Sequence, residues 1–123
     1  MGYAQTVFAA SSAANTYNHF YPLTMNSGAG TRCLISVTGW LGTGGGLTGN
    51  NQTYPSFKVQ GAANPGAPFS YGCYHPTSAG SYSTCSYTYV ATVTPNTSYE
   101  FGCQIFSTAI NNQTYCAVAA QCF

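Results

Sequence analysis

Apolar and polar positions alternate with a period of two along much of the chain, most clearly between Ser83 and Phe106. Cys85, Tyr87, Tyr89, Ala91 and Val93 hold the odd positions. After the turn Pro95-Asn96-Thr97-Ser98 they are held by Tyr99, Phe101, Cys103 and Ile105, while Thr, Ser, Gly, Gln and Glu fill most even ones. This predicts two strands, each with one aromatic and β-branched face. Residues directly opposite in an antiparallel pair share a face. A plain hairpin pairing Thr94 with Tyr99 would therefore set Val93 opposite Glu100, on the wrong face. The connection must hold an odd number of residues, contain a bulge, or carry the chain to a second sheet.

The same alternation predicts a strand from Thr31 to Leu41, with Cys33, Ile35, Val37, Gly39 and Leu41 on one face. It predicts a last strand from Tyr115 to Phe123, with Cys116, Val118, Ala120 and Cys122 together. Shorter candidates are an edge strand at Thr6, Val7 and Phe8, and Ser56 to Gln60 with Phe57 and Val59 inward and Lys58 outward. Asn15 to Pro22 carries Tyr17, His19, Phe20 and Tyr21, an aromatic patch that is core in the commoner case and a contact surface in the other. Asn26 to Gly30, Gly42 to Asn51, Gly61 to Pro68 and Ser107 to Thr114 read as loops or turns. Phe69 to Ser83 is a Tyr- and Ser-rich connection, and a short helix over Ala9 to Ala14 would be uncapped. The expectation is one domain spanning residues 1–123. It is all-β, an antiparallel β-sandwich of six or seven short strands, immunoglobulin-like or jelly roll, with little or no helix.

The stretch from Val93 to Cys103 resembles the E–F corner of fibronectin type III and related immunoglobulin-like sandwiches, apolar-x-Pro-Gly/Asn-Thr-x-Tyr-x-apolar-x-apolar. The resemblance covers about a dozen residues and implies a sandwich whose chain changes sheets here, with Tyr99 as a tyrosine corner. It implies no activity. In such sandwiches an inter-sheet disulfide joins two core positions, which makes Cys33–Cys103 a candidate pair.

Charge changes the picture more than any motif. The only charged side chains are Arg32, Lys58 and Glu100, 2% of the chain, against about 25% in soluble domains. The surface must then be built from Ser, Thr, Asn, Gln, Gly and Tyr, which does not repel copies of itself. Nucleic-acid binding lacks the cations it needs, and no apolar run approaches the roughly 20 residues of a membrane span. Eleven tyrosines provide contact area at low entropic cost. Tyr17, Tyr21, Trp40, Tyr71, Tyr74 and Tyr82 are the candidate contact surface, whereas Tyr87, Tyr89 and Tyr99 read as core or corner residues.

Six cysteines, Cys33, Cys73, Cys85, Cys103, Cys116 and Cys122, form no Cys-x-x-Cys, so disulfides are favoured over zinc. A Cys73–Cys85 bridge would staple a loop of about a dozen residues, worth about 3 kcal/mol. Cys116 and Cys122 suit either a clamp on the C-terminus or an intermolecular bridge. The N-terminal residues do not form a signal-peptide pattern. Gly44 to Gly49 fits Gly-x-Gly-x-x-Gly, but no helical pattern follows it, and a surface loop is the expected reading. Sequons occur at Asn51, Asn96 and Asn112. Enzyme readings fail on inventory: no Asp exists, Glu100 is the one carboxylate, and Cys73 with His75 is a base–nucleophile pair only if the thiol is free.

No cofactor or metal is therefore expected. The chain resembles bacteriophage virion surface proteins in general type, and its expected role is a non-enzymatic structural subunit of a virus particle: capsid decoration or cement, collar or tail-fibre module. The expected partners are copies of itself and other virion structural proteins, at the virion surface, with a glycan or host receptor as a further possibility. The alternatives are an extracellular filament or surface-layer subunit and a secreted carbohydrate-binding module.

Overall fold

The parity conflict at the Pro95 turn is resolved by a change of sheet. The computed structural model describes residues 2–9, 16–42, 51–75, 82–107 and 113–123. Its strands are β1 (Gly2–Ala9), β2 (Thr16–Asn26), β3 (Arg32–Gly42), β4 (Asn51–Val59), β5 (Cys73–Tyr74), β6 (Tyr82–Thr92), β7 (Ser98–Ser107) and β8 (Gln113–Cys122). They form two four-stranded antiparallel sheets, ordered β1-β8-β3-β6 and β2-β7-β4-β5. No helix occurs among the described residues. Of the two expected sandwiches this is the jelly roll: every connection except β4–β5 crosses between sheets, and the last strand inserts between the first and third.

The E–F-type corner forms as the resemblance implies. The Tyr99 ring is buried, and its hydroxyl accepts the Thr94 N–H at 2.8 Å. Asn96 takes the left-handed conformation the tight turn needs, φ 53°, which Asn tolerates better than most residues. Its N–H donates to the Gly28 carbonyl, while the Ser27 hydroxyl donates to the Thr94 carbonyl at 2.7 Å. The corner is thus tied to the β2–β3 turn.

The core fills from the inward parity of each strand: Ile35, Val37 and Leu41 from β3, Val118 and Ala120 from β8, Phe101 and Ile105 from β7. β4 is longer than the expected Ser56 to Gln60. Its first half points Asn51, Thr53 and Pro55 inward, two polar residues and a proline that hide a strand from a hydrophobic pattern. Val59, expected inward, is exposed because β4 ends there. β2 was legible only as an aromatic patch, because a bulge between Phe20 and Leu23 shifts its parity. Phe20, Leu23 and Met25 face the core, while Tyr17 and His19 sit opposite Phe106 and Gln104 on the outer face, so the patch divides between the two faces.

All six cysteines are paired within the chain. The candidate Cys33–Cys103 is corrected. Cys33 stands directly beside Cys122 in the β3–β8 register, 3.9 Å between Cα atoms, and bonds it. Cys103 bonds Cys116 across the two sheets, 6.1 Å apart. The inter-sheet bridge exists, but jelly-roll strand order gives Cys103 a different partner. Cys73–Cys85 closes the β5–β6 side as expected, and Cys116 and Cys122 both clamp the C-terminal strand internally.

Candidate interaction surfaces

The arrangement nearest to a chemical site is buried. Gly39 on β3 leaves room for Thr53 of β4, since a Cβ there would run into the Thr53 side chain. The Thr53 hydroxyl meets His75 Nε2 at 2.7 Å, Cys85 Sγ lies 3.2 Å from the same nitrogen, and Ser83 Oγ lies 3.3 Å from Nδ1. Burial pushes the His75 pKa down to about 4, against a smaller opposing effect of hydrogen bonding at Ser83. The ring is therefore neutral at pH 7. Cys73 and Cys85 are bonded to each other, so no thiolate faces the imidazole. Glu100 is paired with Lys58 at the far end of β4, 3.3 Å apart. The cluster fastens β4 and β5 to β6, and with Cys73 in the expected Cys73–Cys85 bridge there is no free thiol for His75 to activate. Asn51, the first sequon, is 1% exposed and accepts the Ser107 hydroxyl, which leaves it no room for a glycan. Asn96 is exposed, and Asn112 and Gly44 to Gly49 lie outside the described residues.

The outer face of the β2-β7-β4-β5 sheet is aromatic. Tyr17 packs edge-on against Tyr54, centroids 6.1 Å apart, and against Phe106 at 5.2 Å. Tyr74 stands opposite Gln52 on β5 and is 68% exposed. Burial, then the neighbouring Tyr17 and Tyr74, raise the Tyr54 pKa. The three tyrosines thus form a row across the sheet. Beside it His19 stacks on Tyr21, which shares a 2.9 Å hydrogen bond with Ser56 and receives the Lys58 ammonium 5.2 Å from its ring centre. His19 Nδ1 and Gln104 Oε1, on facing residues, are buried without a partner among the described residues.

The opposite face, on the β1-β8-β3-β6 sheet, carries short hydroxyl side chains beside a few exposed apolar ones, Leu34 and Val90 among them. Ser36 and Thr38 of β3 hydrogen-bond to Thr88 and Ser86 of β6. Trp40, between Tyr115 and Thr84, lines an open depression of about 270 Å³. The candidate contact residues therefore separate: Tyr17, Tyr21 and Tyr74 on one face, Trp40 on the other, and Tyr71, 84% exposed, in the β4–β5 connection. Tyr82 opens β6 opposite Gly42, and its side chain lies outside the description. Sequence reasoning missed Tyr54, hidden in the half of β4 that lacks a hydrophobic pattern, and Phe106, which the β7 alternation puts outward but which meets Tyr17 only through the β2–β7 register. Comparison of the chain with known protein families and with curated protein sequences finds no match.

Proposed function

We propose that this chain is a non-enzymatic structural subunit of a virus particle, a capsid decoration or cement protein or a collar or tail-fibre module. It would work by packing the uncharged faces of a disulfide-locked jelly roll against its neighbours. The observation that carries this is the placement of the charges. Lys58 and Glu100 neutralise each other, and Arg32 lies 5.2 Å over the Phe123 ring at one end of β3. Broad sheet faces of Ser, Thr, Ala and Tyr are left with nothing to repel a second protein. Jelly rolls recur in viral capsid and lectin domains, which supports the reading without deciding it. Three internal disulfides suit an oxidising setting and lock each subunit, leaving the joints between subunits non-covalent.

The test is quantitative mass spectrometry of density-gradient-purified particles from the native source. The chain should co-band with particles at a fixed copy number and run as a monomer on a non-reducing denaturing gel. Recovery only in the soluble fraction refutes the proposal. The row Tyr17, Tyr54 and Tyr74 favours a second reading, a carbohydrate-binding module, because outward tyrosine rings suit the apolar faces of sugars. Glycan-array binding by the isolated chain, lost on Tyr54→Ala, would support that reading.

A further inference from the structure

Each sheet has two edge strands, and three of the four edges are blunted. β1 breaks its register between Thr6 and Ala9. β2 carries a bulge and Pro22. β5 is two residues long. Beyond it β4 presents Pro55, whose missing N–H falls on the open side: the Gln60 N–H bonds Ser98, so the even residues of β4 bond β7 and the odd ones point away. Bulges, prolines and short strands are the usual devices against edge-to-edge pairing.

β6 has none of them. It is 11 residues long, pairs with β3 without a register shift, and contains no proline and no charged residue. The Val93 N–H bonds the Thr31 carbonyl, so the odd residues of β6 bond β3. The N–H and C=O groups of Thr84, Ser86, Thr88, Val90 and Thr92 therefore point to the free edge. Among the described residues none of them finds another backbone partner.

A second observation falls on the same side. Residues 69–73 run along β6, tied to it at both ends by the Phe69–Tyr89 ring contact and the Cys73–Cys85 bond. Between these ties Tyr71 is 84% exposed, and Phe69 itself is 41% exposed. An unsatisfied strand edge flanked by exposed aromatic rings is an interaction surface.

We propose that this edge is where a second copy of the chain adds, β6 antiparallel to β6, joining two four-stranded sheets into one. A twofold axis at Thr88 pairs Thr88 with Thr88, Ser86 with Val90, and Thr84 with Thr92 of the partner copy. The outward backbone groups of these five residues then all meet a partner. The same register sets Tyr87 against Tyr89 of the partner copy beneath the seam and covers both. A second copy is the fitting occupant because the strand is uncharged and this register sets Thr88 against Thr88 and Thr84 against Thr92. The inference deepens the assembly reading above and relies on it only for the biological setting.

The test uses the full oxidised chain, by sedimentation velocity and residue-resolved amide exchange from micromolar to millimolar concentration. A dimer should form in which the amides of Ser86, Thr88 and Val90 become protected as concentration rises. Thr88→Pro removes an outward N–H without touching the β3 ladder, and should weaken dimerisation by about tenfold or more. Thr88→Lys sets two ammonium groups face to face and should make dimerisation strongly salt-dependent, where the natural chain's is not. A chain that stays monomeric overturns the inference. Oligomers whose β6 amides exchange freely overturn it too, but leave assembly through the sheet faces standing.

Discussion

Loop length should rank the disulfides. Cys33–Cys122 spans 89 residues, while Cys73–Cys85 spans 12 and Cys103–Cys116 spans 13. The chain-entropy relation then gives about 4.6 kcal/mol for the long bridge and about 3 kcal/mol for each short one. Both short loops lie inside the long one, so the three overlap and their sum is an upper figure. A domain's whole stability is about 5–15 kcal/mol. Full reduction should therefore leave this chain near zero net stability, with half or more unfolded at 25 °C. Urea melts followed by circular dichroism would compare the oxidised chain, the reduced chain and two paired variants. Cys33→Ala with Cys122→Ala should lose about 1.5 kcal/mol more than Cys73→Ala with Cys85→Ala. The buried Cys33 position adds a cavity to the first pair, in the same direction. A larger loss from the short bridge, or a reduced chain with an unchanged urea midpoint, would refute the reasoning.

Three further outcomes can be read with the same melts. Tyr99→Phe keeps the ring against Phe57 and Phe101 but removes the acceptor of the Thr94 N–H, and should cost about 1 kcal/mol; an unchanged midpoint would show that the corner does not depend on that bond. Gly102→Ala would press a Cβ into the Phe20 carbonyl at the β2 bulge and should cost about 2–3 kcal/mol, while Gly66→Ala, in open space, should change little. Acid should destabilise the fold through His75: its folded pKa, about 4, lies below its ordinary 6.5, so between these values the unfolded chain binds a proton that the folded chain does not. That stability is full above about pH 6.5, is lost as pH falls toward 4, and amounts to about 3 kcal/mol; His19, lowered by burial and then by Lys58, acts in the same direction. A midpoint that stays flat from pH 7 to pH 4.5 would contradict this.

The sequence disclosed those strands whose two faces differ in polarity. β3, β6, β7 and β8 alternate without interruption, and their inward residues were readable one by one. β2 and the first half of β4 were not, for two separate reasons. The bulge in β2 moves its core residues from even to odd numbers between Phe20 and Leu23, so no single period describes the strand. In β4 the inward positions are Asn51, Thr53 and Pro55, tolerable in a core only because Ser107, His75 and an open edge satisfy or excuse them. Disulfide partners follow from which strands are neighbours, and that is a property of topology. Cys33 and Cys103 share a core and parity, yet Cys122 lies closer to one and Cys116 to the other. Of the outward aromatic residues, Tyr71 and Tyr74 are exposed as the sequence suggested, whereas setting Tyr54 beside Tyr17 needs the registers of β4 and β2 with β7.

The scarcity of charge links these features. Most domains use surface charge to keep edges apart, since a lysine on an edge strand prevents pairing at little structural cost. With one ion pair and one further cation, this chain has no such means, so each protected edge is blocked by backbone geometry instead: a register break, a bulge, a proline, a two-residue strand. Against that pattern, the unbroken run of β6 is not explained by a lack of blocking devices elsewhere in the fold. The core follows the same rule. Its polar end is held by neutral hydrogen bonds among Thr53, His75, Ser83, Asn51 and Ser107, and its cross-links are covalent. Bonds of that kind do not weaken with ionic strength as exposed ion pairs do. A chain so built keeps its fold through changes of salt that would loosen one held by charge.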